Sequence, residues 1–177
     1  MLTQNEKSEC DQIKQIIEKV RQLLSKKQLG DEKDFVSWYY FLSEIKKAQG
    51  NIHNRIHFVG TLLAKQYLMS HFKISSFDTA SKSQSAKGLD IDVYTERGER
   101  IIAEVKTTDP LKKNDFGAQQ KDKILGDIKK LINETAHYKF MFVTEFETFW
   151  IIRENYFRST SGGISLVDLV RGKEYHK

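Results

Sequence analysis

Ile13, Ile16, Ile17, Val20, Leu23 and Leu24 recur at steps of three and four, which predicts an amphipathic helix over residues 11–28 that stops near Gly30. A second helix is expected from a cap at Asp31 or Asp34 to about Ala48. It carries Phe35, Trp38, Leu42 and Ile45 on its apolar side, with Gly50 as its stop. The spacing of Ile52, Ile56, Val59, Leu63 and Tyr67 predicts a third helix over 52–70. The pattern then changes to a small, polar, basic stretch, SSFDTASKSQSAKG (75–88), read as a loop. Beyond it LDIDVYT and IIAEVKTT, either side of ERGER with its Gly98, read as a β-hairpin. Helical spacing returns over 116–132. YKFMFVT (138–144) and ETFWIIR (147–153) read as two further strands, and a short helical tail is expected around SLVDLV. The order predicts an α/β fold in which a mixed central sheet is flanked by helices. Residues 1–50 form a helical N-terminal extension suited to dimerisation or recognition, and 51–177 form the core.

The hairpin holds the candidate chemistry. Strand side chains alternate between faces, so Leu89, Ile91 and Val93 point one way and Asp90 and Asp92 the other. On the partner strand Ile101, Ala103 and Val105 share a face, and Glu104 and Lys106 share the opposite one. Pairing the strands can bring Asp90 or Asp92 together with Glu104 and Lys106 over an apolar backing. Two convergent carboxylates suit a hard divalent cation such as Mg²⁺. Such an ion polarises a phosphodiester and acidifies a bound water, which a neighbouring lysine can orient.

Composition narrows the partners. The 177 residues carry a net charge of +5, which is compatible with a polyanionic ligand. Lys106 to Leu131 holds seven lysines against four aspartates, and Lys82 and Lys87 flank the hairpin from the polar loop. One cysteine, Cys10, leaves no disulfide framework or cysteine-rich zinc site. No apolar run reaches a membrane-spanning length, and the polar N-terminus lacks the apolar core of a signal peptide, so a soluble, cytoplasmic protein is expected. His53 and His57 have the spacing of a zinc pair, but no HExxH glutamate lies between them, and a structural or DNA-contacting role is expected instead. No phosphate-cradling GxxxxGK[ST] motif is present, so no nucleotide cofactor is expected.

The Gly-Leu-Asp step at 88–90, followed by Ile-Ala-Glu-Val-Lys at 102–106, resembles the core of the PD-(D/E)XK nucleases. This family includes many restriction endonucleases, junction resolvases and repair exonucleases. The resemblance spans roughly residues 52–145. It implies a restriction-endonuclease-like mixed sheet, with Mg²⁺ (or Mn²⁺ in its place) held by Asp90, Glu104 and the carbonyl of Val105. Lys106 is then the catalytic lysine and Asp92 a second candidate ligand. No proline precedes Asp90, and Thr61 stands where some members place a further acid on the preceding helix. Several branches also direct a glutamine at the site from the next helix. Here Gln120 lies within the Ile124, Ile128 and Leu131 stripe while Gln119 falls outside it, so Gln120 is the candidate. Lys87, Lys112 and Lys113 are candidate DNA contacts. The expected activity is hydrolysis of double-stranded DNA by a small prokaryotic type II restriction enzyme, acting as a homodimer. A junction- or flap-specific repair nuclease, or a DNA-binding module without turnover, would fit the same motifs.

Overall fold

The computed structural model describes residues 1–26, 34–81, 88–111, 115–158 and 163–176. They fall into two compact units, Met1–Arg55 and Ile56–Lys177.

In the first unit, helix α1 (Gln4–Lys26) begins well before the apolar stripe does. The reason is a reciprocal cap: the Glu6 amide donates to Thr3 Oγ1 at 3.2 Å, and the Thr3 amide donates to Glu6 Oε2 at 2.8 Å. Helix α2 (Phe35–Gln49) is capped by Asp34, whose Oδ1 accepts from the Ser37 amide at 3.0 Å. It ends at Gly50, which adopts the left-handed φ of +56° while its N–H donates to the Lys46 carbonyl at 3.2 Å. Helix α3 (Ile52–His71) starts in this unit, where the Arg55 guanidinium reaches Glu9 and, at 2.9 Å, Gln12 of α1. The Gly30 stop and the alternative cap at Asp31 lie outside the described residues.

The second unit is a five-stranded mixed sheet in the order β1-β2-β3-β4-β5, built from Ile91–Tyr94, Arg100–Lys106, Tyr138–Val143, Ile164–Asp168 and Lys173–Tyr175. The outer pairs β1–β2 and β4–β5 are antiparallel, and β2–β3 and β3–β4 are parallel. Parallel neighbours need crossovers. Helix α4 (Ala118–Asn133) connects β2 to β3, and helix α5 (Phe146–Ile151), continued by a π-helical stretch over Ile152–Phe157, precedes β4.

Alternation along β2 feeds two cores. Ile102 joins Ile124, Ile128 and Leu131 of α4, Met141 and Val143 of β3, and Phe149 and Ile152 of the second crossover. On the other face Ile101, Ala103 and Val105 pack with Phe140, Phe142 and, from α3, Ala64 and Leu68. The helices thus flank the sheet, as the pattern predicts.

Two expectations fail. ETFWIIR is helical rather than a strand, and SLVDLV forms most of β4 and its following turn rather than a helical tail. In the first, every residue between Glu147 and Arg153 is β-branched or aromatic, a composition that reads as strand, and the tertiary burial of Thr148, Phe149, Ile151 and Ile152 overrides it. In the second, β4 lies between β3 and β5 with Ile164 and Leu166 in one core and Val167 in the other, so its sequence shows no clean strand alternation.

Candidate catalytic site

The site forms where the β1–β2 hairpin opens. Ile91 faces Ala103 in the antiparallel register, so the next step brings Asp90 level with Glu104. Here the ladder gives way to a side chain: the Val105 amide donates to Asp90 Oδ2 at 2.8 Å. From α3, His57 Nε2 lies 3.6 Å from Asp90 Oδ1. Burial pulls the Asp90 carboxyl upward, but His57, the Val105 N–H and the nearby Lys106 charge outweigh it and hold Asp90 below its ordinary range.

Helix α3 is pressed closely against this end of the sheet. A Cβ on Gly60 would stand 2.6 Å from Thr107 Cγ2 and 3.3 Å from Val105 Cγ1, so only glycine fits without displacing a neighbour. Thr61 is buried, and its hydroxyl donates back to the His57 carbonyl at 3.0 Å.

Glu104 is the most enclosed acid of the group, with a side chain only 2% exposed. It faces α4. Lys130 Nζ donates to Glu104 Oε1 at 3.3 Å, and Lys106 Nζ stands 3.9 Å from Oε2. Burial, followed by the negative charges of Asp90 and Asp127, pushes the Glu104 carboxyl up to about 8 against the pull of Lys106 and Lys130. Asp127 of α4 completes the cluster, with Oδ2 2.5 Å from Lys106 Nζ and Oδ1 2.7 Å from Lys130 Nζ. Its hydrogen bond is the main reason that the Lys130 ammonium is held above its ordinary value.

Three carboxylates therefore share a mostly buried space with two lysines. Among the described residues no group of three His, Cys, Asp or Glu side chains is arranged as a metal site. What the donor set offers a cation is the Asp90–Glu104 pair. That suits Mg²⁺, which takes one or two carboxylates and keeps several waters. The pair fits a hard divalent ion and offers no sulfur or histidine cage for a softer one.

The structure brings Asp90, Glu104, Val105 and Lys106 together and leaves Asp92 apart. Asp92 lies across from Ile102, two residues further along the hairpin, where Arg100 holds it by two bonds of 2.9 and 2.8 Å. Arg100 also reaches Glu134 at 3.0 Å and the Thr135 carbonyl at 2.9 Å, so this acid belongs to a separate ion cluster. Gln120 is half-buried, and its amide works within the chain. It donates to the Asp109 carbonyl at 2.9 Å and accepts from the Gly117 amide at 3.2 Å and the Leu111 amide at 3.4 Å, which ties the segment after β2 to the start of α4. Lys82, Lys87, Lys112 and Lys113 lie outside the described residues.

In the sequence Asp127 and Lys130 count only toward the local charge, and His57 carries only a general expectation of a structural or DNA-contacting role. Asp127 did leave a signal: it is an acid four residues before Leu131, on the apolar stripe of α4. No protein-family model, curated protein or solved structure matches this chain.

Proposed function

We propose that this protein is a Mg²⁺-dependent endonuclease of the PD-(D/E)XK type that hydrolyses double-stranded DNA, and that it acts as a small type II restriction enzyme. The observation that carries the reading is the meeting of Asp90, Glu104 and Lys106 at one end of the β1–β2 hairpin, within a mixed sheet flanked by helices.

Asp90 and Glu104, with the Val105 carbonyl beside them, are the groups that would hold the ion. A divalent cation in such a place supplies Lewis acidity toward a phosphoryl oxygen and makes a bound water more acidic. The chain's own residues do the rest. Asp90 stays ionised because the Val105 N–H and His57 stabilise its carboxylate. Lys106 presents its N–H donors beside Glu104, where they can orient the attacking water and offset charge growing on the phosphate. The sheet and α4 wall Glu104 off from bulk solvent, which strengthens its electrostatic interactions. Two-fold pairing of chains would match a palindromic target, with one strand cut by each protomer.

The test is incubation of purified protein with unmethylated plasmid and phage DNA, with Mg²⁺ or with EDTA, beside the Lys106→Ala variant. Discrete fragments that need Mg²⁺ and vanish in the variant are the expected result, and their ends give the target sequence. Intact duplex after incubation with folded protein overturns the restriction reading. Cleavage confined to branched substrates would reassign the enzyme to repair or recombination.

A further inference from the structure

Helix α4 carries an acid where its packing pattern calls for an apolar side chain. Ile124, Ile128 and Leu131 are 0–3% exposed and anchor the helix to the sheet. Asp127 lies on the same side, with its side chain 10% exposed. Burying a carboxylate there is unfavourable unless it is paired, and both of its oxygens are: Oδ2 with Lys106 at 2.5 Å, Oδ1 with Lys130 at 2.7 Å. The comparison with Glu104 decides the assignment. Lys106 Nζ is 3.9 Å from Glu104, beyond hydrogen-bond range, so its nearest anion comes from the helix and not from its own strand.

We propose that Asp127 is a positioning residue that fixes the Lys106 ammonium at the site, an inference that rests on the nuclease reading of Asp90, Glu104 and Lys106. Lysine ends in a flexible four-carbon stem, and a donor that must meet a water or phosphate at a set point needs its tip held. Asp127 supplies that hold from a rigid helix, so that Glu104 need not supply it. Lys130, whose side chain is 48% exposed, occupies the second oxygen of Asp127 and bridges it to Glu104. Its charge offsets part of the negative charge of the two acids.

Two readouts test this, one of them independent of turnover. In metal-free protein labelled at lysine Nζ, the Lys106 ammonium should give a protected ¹⁵N–¹H signal. That signal should disappear in Asp127→Asn and persist in Asp127→Glu. In DNA cleavage, Asp127→Asn should lower kcat about 100-fold, at the low end of what a positioned proton-handling group contributes, and leave KM within about twofold. Asp127→Glu should recover most of the loss, and in a Lys106→Met background Asp127→Asn should add nothing further. If Asp127→Asn does not fold, Asp127→Ser carries the same expectations. A Lys106 signal unchanged in Asp127→Asn, or equal losses from that substitution with and without Lys106, overturns the proposal. A wild type that cuts no DNA overturns the nuclease reading instead, and the Lys106 signal still decides whether Asp127 holds it.

Discussion

Glu104 should make the stability of the second unit fall as pH rises through neutrality, and Glu104→Gln should abolish that fall. A carboxyl displaced from 4.5 to about 8 favours its protonated form in the folded state by about 5 kcal/mol, at roughly 1.4 kcal/mol per pH unit. Relaxation of the half-exposed Lys130 toward the new charge reduces the measurable effect to about 2–4 kcal/mol. The sign follows from linkage. The folded state binds the proton more tightly than the unfolded chain, so the contribution is complete below pH 4.5 and is lost by about pH 8. Asp90, held low, acts in the opposite sense and only in acid, outside this window. The assay is urea unfolding in metal-free buffer at intervals from pH 5 to 9, in a Trp38→Phe background that leaves Trp150 as the fluorescent reporter. Every other titrating group is common to both proteins, so the difference between their profiles isolates Glu104. Glutamine copies the shape of the neutral carboxyl and cannot ionise, so the variant should overtake the parent above about pH 7. Parallel profiles would refute the account of Glu104 as a buried acid crowded by Asp90 and Asp127.

Further outcomes follow from the same geometry. Mg²⁺ at millimolar concentration should raise the unfolding midpoint at pH 8 in the parent and have little effect in Glu104→Gln, because binding to the folded state alone stabilises it; calorimetric titration measures the same affinity. Asp90→Asn should abolish cleavage, while Asp92→Asn should keep it within about threefold and lower stability by about 1 kcal/mol, since Asp92 is held by Arg100 away from Glu104; equal losses from the two would reverse the choice of ligand. Gly60→Ala should destabilise by about 1 kcal/mol, because overpacking against Thr107 outweighs the better helix propensity of alanine. Thr107→Ser removes the clashing methyl and should recover at least half of that loss in the thermal midpoint.

The parts of the fold that were legible in the sequence are those whose two faces meet different surroundings. The β1–β2 hairpin showed itself through Asp90, Ile91, Asp92 and Val93, and α4 through Ile124, Ile128 and Leu131, because each has a wet side and a dry one. Residues 148–152 are all β-branched or aromatic, and β4 sends apolar side chains into both cores, so neither segment shows the period of the element it forms. The candidate acids on the hairpin were legible for the same reason as the hairpin itself. The choice between Asp90 and Asp92 was not, since it depends on where the ladder ends and on the long reach of Arg100 across one face. Asp127 was hidden differently. An acid on a helix reads as solvent-facing until its tertiary partners are known, and here Asp127 pairs with Lys130 one turn along and with Lys106, 21 residues away on a strand.

The parallel run of β2, β3 and β4 has a consequence for altering the protein. Lys106 is in register with Val143, and Val143 with Asp168, so the segments leaving these three strands emerge along one edge at intervals of roughly 5 Å. The turn after β4 is already rigid, with Asp168 Oδ1 accepting from the amides of Val170 and Arg171 at 3.0 and 3.1 Å. Side chains grafted at Glu145 or at Val170 would therefore project from fixed bases about one and two strand widths from Lys106. Libraries at these positions could change what is held beside the reacting bond while the hairpin, α4 and both cores keep their packing.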